Sequence, residues 1–196
     1  IVQKYYKTFD GSNLKPVYED KASTIFPRMY SSEPRHVRGY VNWSGAKANR
    51  TPTFGQNMAY FADYQVGWMY WRYFMWNFSG RQSDEQGHGN SLHGNWISGL
   101  NFIDQHHIGD QTEAPSIITT NPSNNKFYML PLILGLIGFI FTLMKGSKSW
   151  WFIMLLFLLT GFAVIFYLNQ KPMEPREREY AYAASFYAFS FWIGLS

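Results

Sequence analysis

The stretch richest in chemistry is a charged cluster between two apolar runs, Gln170 to Tyr182 (QKPMEPREREYAY). Arg176 and Arg178 come just before the last apolar run, at the depth of lipid headgroups if that run enters a membrane near Tyr180. Guanidinium groups bind phosphate oxygens through two parallel hydrogen bonds, most strongly where water is scarce. The cluster predicts a lipid-phosphate site in which Arg176 and Arg178 bind the phosphate and Glu177 orients one of them. The alternative is a solvated charged loop that anchors the helix end.

Histidines and carboxylates are concentrated in a glycine-rich stretch from Ser79 to Asp110. Both are good ligands for zinc or iron. However, His88 and His93 are five residues apart, which does not align them on a helix, and the adjacent His106 and His107 diverge in any regular element. A solvated glycine-rich loop is therefore the favoured interpretation. We predict no cofactor held by the protein, although a divalent metal stays open.

Apolar runs in the second half of the chain must position these groups. Residues 127–144 and 150–168 contain no charge, and each is long enough to cross about 30 Å of hydrocarbon. A third run, 180–196, alternates small residues with aromatic rings, as in a helix packed against other helices. We expect a mainly α integral membrane bundle with two complete spans and a truncated third. A pair of buried helices in a soluble protein is the alternative.

The first half of the chain has a different composition. Residues 1–126 hold 12 of the 17 basic residues, 10 of the 13 acidic residues and all five histidines. We expect a loop-rich extramembrane segment here, with Pro52 near the start of a helix. The chain begins with Ile and its third apolar run stops at residue 196, so we also expect an internal part of a longer protein. The net charge of +4 is modest, and we predict no nucleic-acid partner.

The segment from Tyr60 to Phe78 is exceptionally aromatic, with ten rings among its 19 residues. It also contains Asp63 and Arg72, and a charge near mid-membrane costs about 2.5–3.5 kcal/mol. These costs argue against a fourth span, whereas Trp and Tyr favour the headgroup level. We predict an interfacial helix over about 58–78, with an aromatic-rich core helix as the alternative.

Orientation is predicted from the loops between the apolar runs. Lys145 and Lys148 lie in a five-residue turn, which the positive-inside rule places in the cytoplasm. Residues 1–126 and the loop at 169–179 then face the periplasm.

Three long motifs carry a family resemblance: YQVGWMYWRYFMWNFSGRQSD (64–84), GNWISGLNFID (94–104) and YLNQKPMEPREREYAYAASFYAFSFWIG (167–194). The chain resembles, over roughly residues 25–196, a bacterial family of polytopic inner-membrane proteins long catalogued as a domain of unknown function. That family is related to a eukaryotic transmembrane protein O-mannosyltransferase. Three further charged residues, all in the first motif, complete our candidates for substrate binding: Arg72, Arg81 and Asp84.

The resemblance implies a GT-C-type glycosyltransferase that moves a sugar, mannose-like, from a polyprenyl-phosphate donor to Ser or Thr of exported proteins. Its partners are then membrane lipids, the lipid-linked sugar and exported acceptor proteins. Nothing in the chain matches the family's acidic catalytic motif, so no catalytic residue is assigned, and the chain alone is expected to be inactive. The alternative from another functional class is a non-catalytic module of a transporter or of an export-apparatus scaffold.

Overall fold

The protein is mainly α-helical, as the sequence predicts. The structure, a computed structural model, describes residues 4–6, 16–18, 25–112, 114–146, 148–174 and 178–196. The chain divides into two compact units, one of residues 1–65 with 169–175 and the other of residues 66–168 with 176–196. The boundary predicted at residue 126 is a different one, between an extramembrane and a transmembrane region, and it stays a prediction.

The first unit contains two short strands and a capped helix. Strands β1 (Lys4–Tyr6) and β2 (Pro16–Tyr18) pair antiparallel, with Lys4 opposite Tyr18. Helix α1 (Pro34–Ser44) starts with proline, whose missing N–H costs nothing in a first turn. It ends at Gly45, whose φ of 63° is the left-handed conformation that glycine adopts most easily.

Helix α2 begins in the same unit, with a capping box. Thr53 Oγ1 accepts a hydrogen bond from the Gln56 backbone N–H (3.3 Å), and Gln56 Oε1 accepts one from the Thr53 N–H (3.0 Å). This reciprocal pair satisfies two backbone donors that the helix leaves open, so the helix starts directly after Pro52, as the sequence predicts. Helix α2 runs through Phe54–Ala59, a widened π-helical part Tyr60–Trp71, and Arg72–Phe78.

The first unit also fixes the segment that leads into the charged cluster. The Tyr60 hydroxyl donates to the Gln170 carbonyl (2.7 Å), and the Tyr64 hydroxyl donates to the Lys171 carbonyl (3.0 Å). Pro172 is buried against Gly39, where a β-carbon would approach Pro172 to 2.5 Å. The first residues of the charged cluster are therefore held by Gly39 of α1 and by side chains of α2.

The second unit contains the remaining elements. Strands β3 (Gly80–Arg81) and β4 (Asn125–Lys126) form a short antiparallel ribbon. The helices are α3 (Asn101–Ile108), α4 (Ser116–Thr119), α5 (Leu130–Met144), α6 (Lys148–Leu168, with a π-helical part at Leu159–Ala163), a 3₁₀ turn (Glu179–Tyr182) and α7 (Ala183–Gly194).

Small residues allow α5 and α7 to pack closely. A β-carbon on Gly138 would lie 1.8 Å from the Trp192 carbonyl oxygen, so only glycine fits there. On α7, Ser185 and Ala188 are fully buried, whereas Ala183 is exposed. The small residues of the third apolar run thus include positions that pack against neighbouring helices, which is the arrangement that its composition indicates.

One helix of the described residues is long and apolar enough to cross a membrane. Helix α6 has 21 residues and a mean hydropathy of 2.4, and only 17% of its most apolar window is buried. A core helix of a soluble protein would bury most of that surface. Helix α5 is also apolar but has only 15 residues. The wider bundle of three spans stays a prediction.

Candidate functional site

The β3–β4 ribbon positions Arg81 at the start of the apolar helices. The Arg81 backbone N–H donates to Asn125 Oδ1 (2.9 Å), and its side-chain Nε donates to the Ser123 carbonyl (3.2 Å). Gly80, before it, has a φ of 146°, and a β-carbon there would lie 2.6 Å from the Asn125 carbonyl oxygen. The close backbone pairing thus requires glycine beside the arginine.

Arg81 lies at one wall of an open cavity of about 420 Å³ in the second unit. The volume is within the range of about 300–1,000 Å³ that small-ligand sites occupy. Its walls come from three places: the last turns of α2, the ribbon with the residue that follows it, and the start of α7. The lining residues are Tyr73, Trp76, Asn77, Arg81, Asn125, Phe127, Glu179, Tyr180, Ala183 and Phe186.

Two opposite charges lie on different walls of this cavity. Arg81 and Glu179 are both partly exposed, and within the described part of the chain neither takes part in an ion pair. The Arg81 guanidinium carbon lies 5.3 Å from the centre of the Trp76 ring. An unpaired cation, an unpaired carboxylate, amides and aromatic rings together suit a polar ligand that carries an anionic group.

Trp76 adds an unused hydrogen-bond donor to the cavity wall. Its indole nitrogen Nε1 is buried and has no acceptor within the described residues. A buried N–H without an acceptor is costly, because the group gives up water and gains nothing in return.

Arg72, the second candidate in the first motif, is in the interior. It is only 2% exposed, and its guanidinium carbon lies 4.0 Å from the Trp68 ring centre and 4.2 Å from that of Tyr73. Nε donates to the Trp68 carbonyl (3.0 Å), and Nη1 donates to the Gly94 carbonyl (2.6 Å). This environment favours a structural role, and Arg72 does not line the cavity.

The remaining candidate residues lie at different distances from the cavity or outside the described residues. Asp84 is exposed and does not line the cavity. Arg178 is exposed and immediately precedes Glu179, which does line it. Arg176 and Glu177 lie outside the described residues. The structure thus brings Arg81 to the cavity directly and Arg178 to within one residue of its wall.

Glu179 is a charged lining residue of the cavity that is absent from the candidates predicted from the sequence. In the sequence it counts only as one acidic member of an alternating cluster. The signal that distinguishes it is position, because it opens the 3₁₀ turn that leads into α7. A carboxylate at the first turn of an apolar helix is held at the edge of the apolar region instead of in solvent.

The glycine-rich stretch is held together by a buried carboxylate. Asp104 is 2% exposed and accepts hydrogen bonds from the Ser98 N–H (2.7 Å), the Ser98 hydroxyl (2.8 Å) and the Gly99 N–H (2.8 Å). His107 stacks on Trp96 with ring centres 4.4 Å apart, and burial lowers its pKa. Among the described residues, no three His, Asp or Glu side chains converge as a metal site would require.

Comparison with known proteins gives one partial match. A family of unknown function (DUF8416) matches residues 2–62, which is less than half of the chain. No curated protein and no solved structure matches the chain. Residues 2–62 are thus similar to a domain of unknown function, and the match carries no link to O-mannosyltransferases.

Proposed function

We propose that the chain is part of a multi-pass bacterial inner-membrane glycosyltransferase that uses a polyprenyl-phosphate sugar donor. The observation that carries the proposal is the cavity where the polar part of the second unit meets α5 and α7. It combines a phosphate-binding group, Arg81, with aromatic rings and hydrogen-bonding side chains. A lipid-linked sugar has this composition, since its phosphate joins a polar sugar to an apolar chain.

The apolar helices next to the cavity offer a surface for the prenyl chain of the donor. Phe127 lines the cavity three residues before α5 begins, and Ala183 lines it as the first residue of α7. The exposed apolar surface of α6 suits contact with lipid tails. The prenyl chain would then lie along the helices while its phosphate reaches Arg81.

The reaction we propose is transfer of the sugar to a Ser or Thr hydroxyl of an exported protein. The bond between sugar C1 and the phosphate oxygen breaks, and a bond from C1 to the acceptor oxygen forms. The hydroxyl proton passes to a base that lies elsewhere in the full protein, and polyprenyl phosphate leaves. Arg81 would stabilise the negative charge that develops on the departing phosphate, which is where a fixed cation helps most.

Arg81→Ala in the full-length protein tests the proposal. Loss of one such electrostatic group costs about a hundred- to thousandfold in rate. Glycosylation of exported proteins, measured by mass spectrometry of the periplasmic fraction, should fall accordingly at normal membrane levels. Arg81→Lys keeps the charge but loses the two-pronged contact, so the loss should be smaller.

Lys126→Ala is the matched control, because Lys126 is an exposed cation on the same ribbon that does not line the cavity. It should glycosylate at the wild-type rate. Wild-type glycosylation by Arg81→Ala, or exported proteins that carry no glycan in the wild type, would contradict the proposal.

A further inference from the structure

Among the described residues, the cavity is lined by one carboxylate, that of Glu179, and a lipid phosphate gives this carboxylate nothing to bind. Two anions repel, so a site that served only a phosphate would be weakened by Glu179. Arg81 does not neutralise it, since no ion pair joins the two within the described residues. The carboxylate is therefore available for a neutral, hydrogen-bond-donating part of the ligand.

We propose that Glu179 is a specificity-determining residue that binds hydroxyl groups of the donor sugar. This inference rests on the proposed function and adds that different residues of the cavity bind the phosphate and the sugar. An ionised carboxylate only accepts hydrogen bonds and has two oxygens, so it suits two neighbouring hydroxyls of a pyranose ring. Hydrogen bonds to a charged group are also the stronger kind.

Other lining residues of the cavity offer further groups that a sugar can contact. Trp76 is a lining residue with an aromatic ring, against which the apolar face of a sugar can pack. Asn77 donates its Nδ2 to the Tyr73 carbonyl (2.7 Å), which leaves Oδ1 to accept from a hydroxyl. Tyr180 follows Glu179 directly and adds a second ring. Together they offer both donors and acceptors, as the hydroxyls of a sugar require.

Arg81 and Glu179 then read different parts of one ligand. The phosphate binds at Arg81 on the ribbon, and the sugar lies toward Glu179 at the start of α7. A site built to hydrogen-bond a hydroxyl discriminates strongly against an analogue that lacks it, because its own polar groups are left unpaired. Removal of Glu179 should therefore change which donors are accepted more than whether a lipid phosphate binds.

A binding experiment on the full-length protein in nanodiscs separates the two roles. The probes are short-chain polyprenyl-phosphate mannose, its series of monodeoxy analogues and sugar-free polyprenyl phosphate. In the wild type, at least one deoxy analogue should bind roughly ten- to hundredfold more weakly than the parent, which is the value of a hydrogen bond to a charged group. In Glu179→Gln that penalty should shrink severalfold, while sugar-free polyprenyl phosphate binds at least as tightly as to the wild type, because a repelling anion is removed.

Arg81→Ala should weaken all probes together, including the sugar-free one. Glu85→Gln is the matched control: its side chain is 59% exposed, and it lies in the same unit away from the cavity. Thermal melts confirm that each variant is folded. If Glu179→Gln keeps the full deoxy penalty, the inference is overturned while the Arg81 result still supports the proposed function. If the wild type binds no polyprenyl phosphate, the proposed function itself is overturned.

Discussion

Two arginines approach the same tryptophan ring from very different environments. The guanidinium carbon of Arg72 lies 4.9 Å from the Trp76 ring centre, and that of Arg81 lies 5.3 Å from it. Arg72 is buried, and carbonyl oxygens accept from its Nε and Nη1. Arg81 is partly exposed, and its Nε donates to the Ser123 carbonyl.

Arg72 and Arg81 thus lie nine residues apart in the chain but in very different surroundings. A buried cation without partners would be very costly, so the chain surrounds Arg72 with rings and carbonyl dipoles. Those partners consume its capacity to bind a ligand. Arg81 keeps that capacity, because it is partly exposed at the cavity wall and the ribbon holds its backbone and Nε.

The largest expected effect comes from Arg72→Met, which preserves much of the side-chain volume but removes the donors. The Gly94 carbonyl loses its charged donor in a buried site, and the cation leaves the rings of Trp68 and Tyr73. We expect the free energy of unfolding to fall by about 2–5 kcal/mol, a large share of a typical total. Thermal unfolding in detergent, followed by Trp fluorescence, measures this loss.

Arg38→Met, an exposed arginine on α1, is the control and should unfold like the wild type. Arg81→Ala should also remain folded. An Arg72→Met protein with wild-type stability and no glycosylation would contradict a structural role for Arg72. It would support instead the substrate-binding role that the sequence predicts.

The sequence predicts the helices of this protein better than it predicts its site, for a physical reason. Helix starts depend on local chemistry, such as Thr53 with Gln56 and Pro131 in the first turn of α5, and these lie within a few residues. The cavity joins Trp76, Arg81, Asn125 and Glu179, which are separated by up to about a hundred residues. No local pattern states that these positions meet.

The difference between Arg72 and Arg81 is equally invisible in sequence. Both lie in one motif, Arg72 between Trp71 and Tyr73 and Arg81 between Gly80 and Gln82, and neither setting states whether the arginine is buried. Burial of Arg72 depends on the Gly94 carbonyl, 22 residues away. Helical spacing shows that Trp68, Arg72 and Trp76 share one face of α2, but it does not show what covers that face.

A third arginine, Arg178, should contribute less to glycosylation than Arg81. Arg178 is exposed beside Glu179, where solvent and salt screen its charge. If Arg81 is the principal phosphate ligand, Arg178→Ala should reduce glycosylation only about two- to fivefold, with a larger loss at low salt. Initial rates at two ionic strengths, with Lys126→Ala as the control, measure the effect. A loss as large as that of Arg81→Ala would place the main phosphate contact at Arg178, as the sequence alone predicts.

The last prediction concerns His36, a buried histidine of the first unit that avoids the cost of a buried charge by staying neutral. Its side chain is 1% exposed, and Nδ1 lies 2.8 Å from the Ser31 hydroxyl and 3.4 Å from Glu33 Oε2. Burial lowers the pKa of His36, with Lys171 and Arg35 acting in the same direction and Glu33 and Glu174 opposing. Burial outweighs the two carboxylates, so the neutral form is the folded form.

A lowered pKa in the folded state means that the unfolded chain takes up a proton first as the pH falls. The stability contributed by neutral His36 is therefore complete above the unfolded pKa of about 6.5 and decreases as the pH falls below it. Melting temperatures measured from about pH 7.5 to about pH 5.5 should decline, and His36→Gln should flatten that decline because glutamine does not titrate. His93→Gln, with a side chain that is 40% exposed, should keep the wild-type slope. A wild-type melting temperature that rises on acidification, with the rise lost in His36→Gln, would show instead that Glu33 holds His36 protonated in the folded protein.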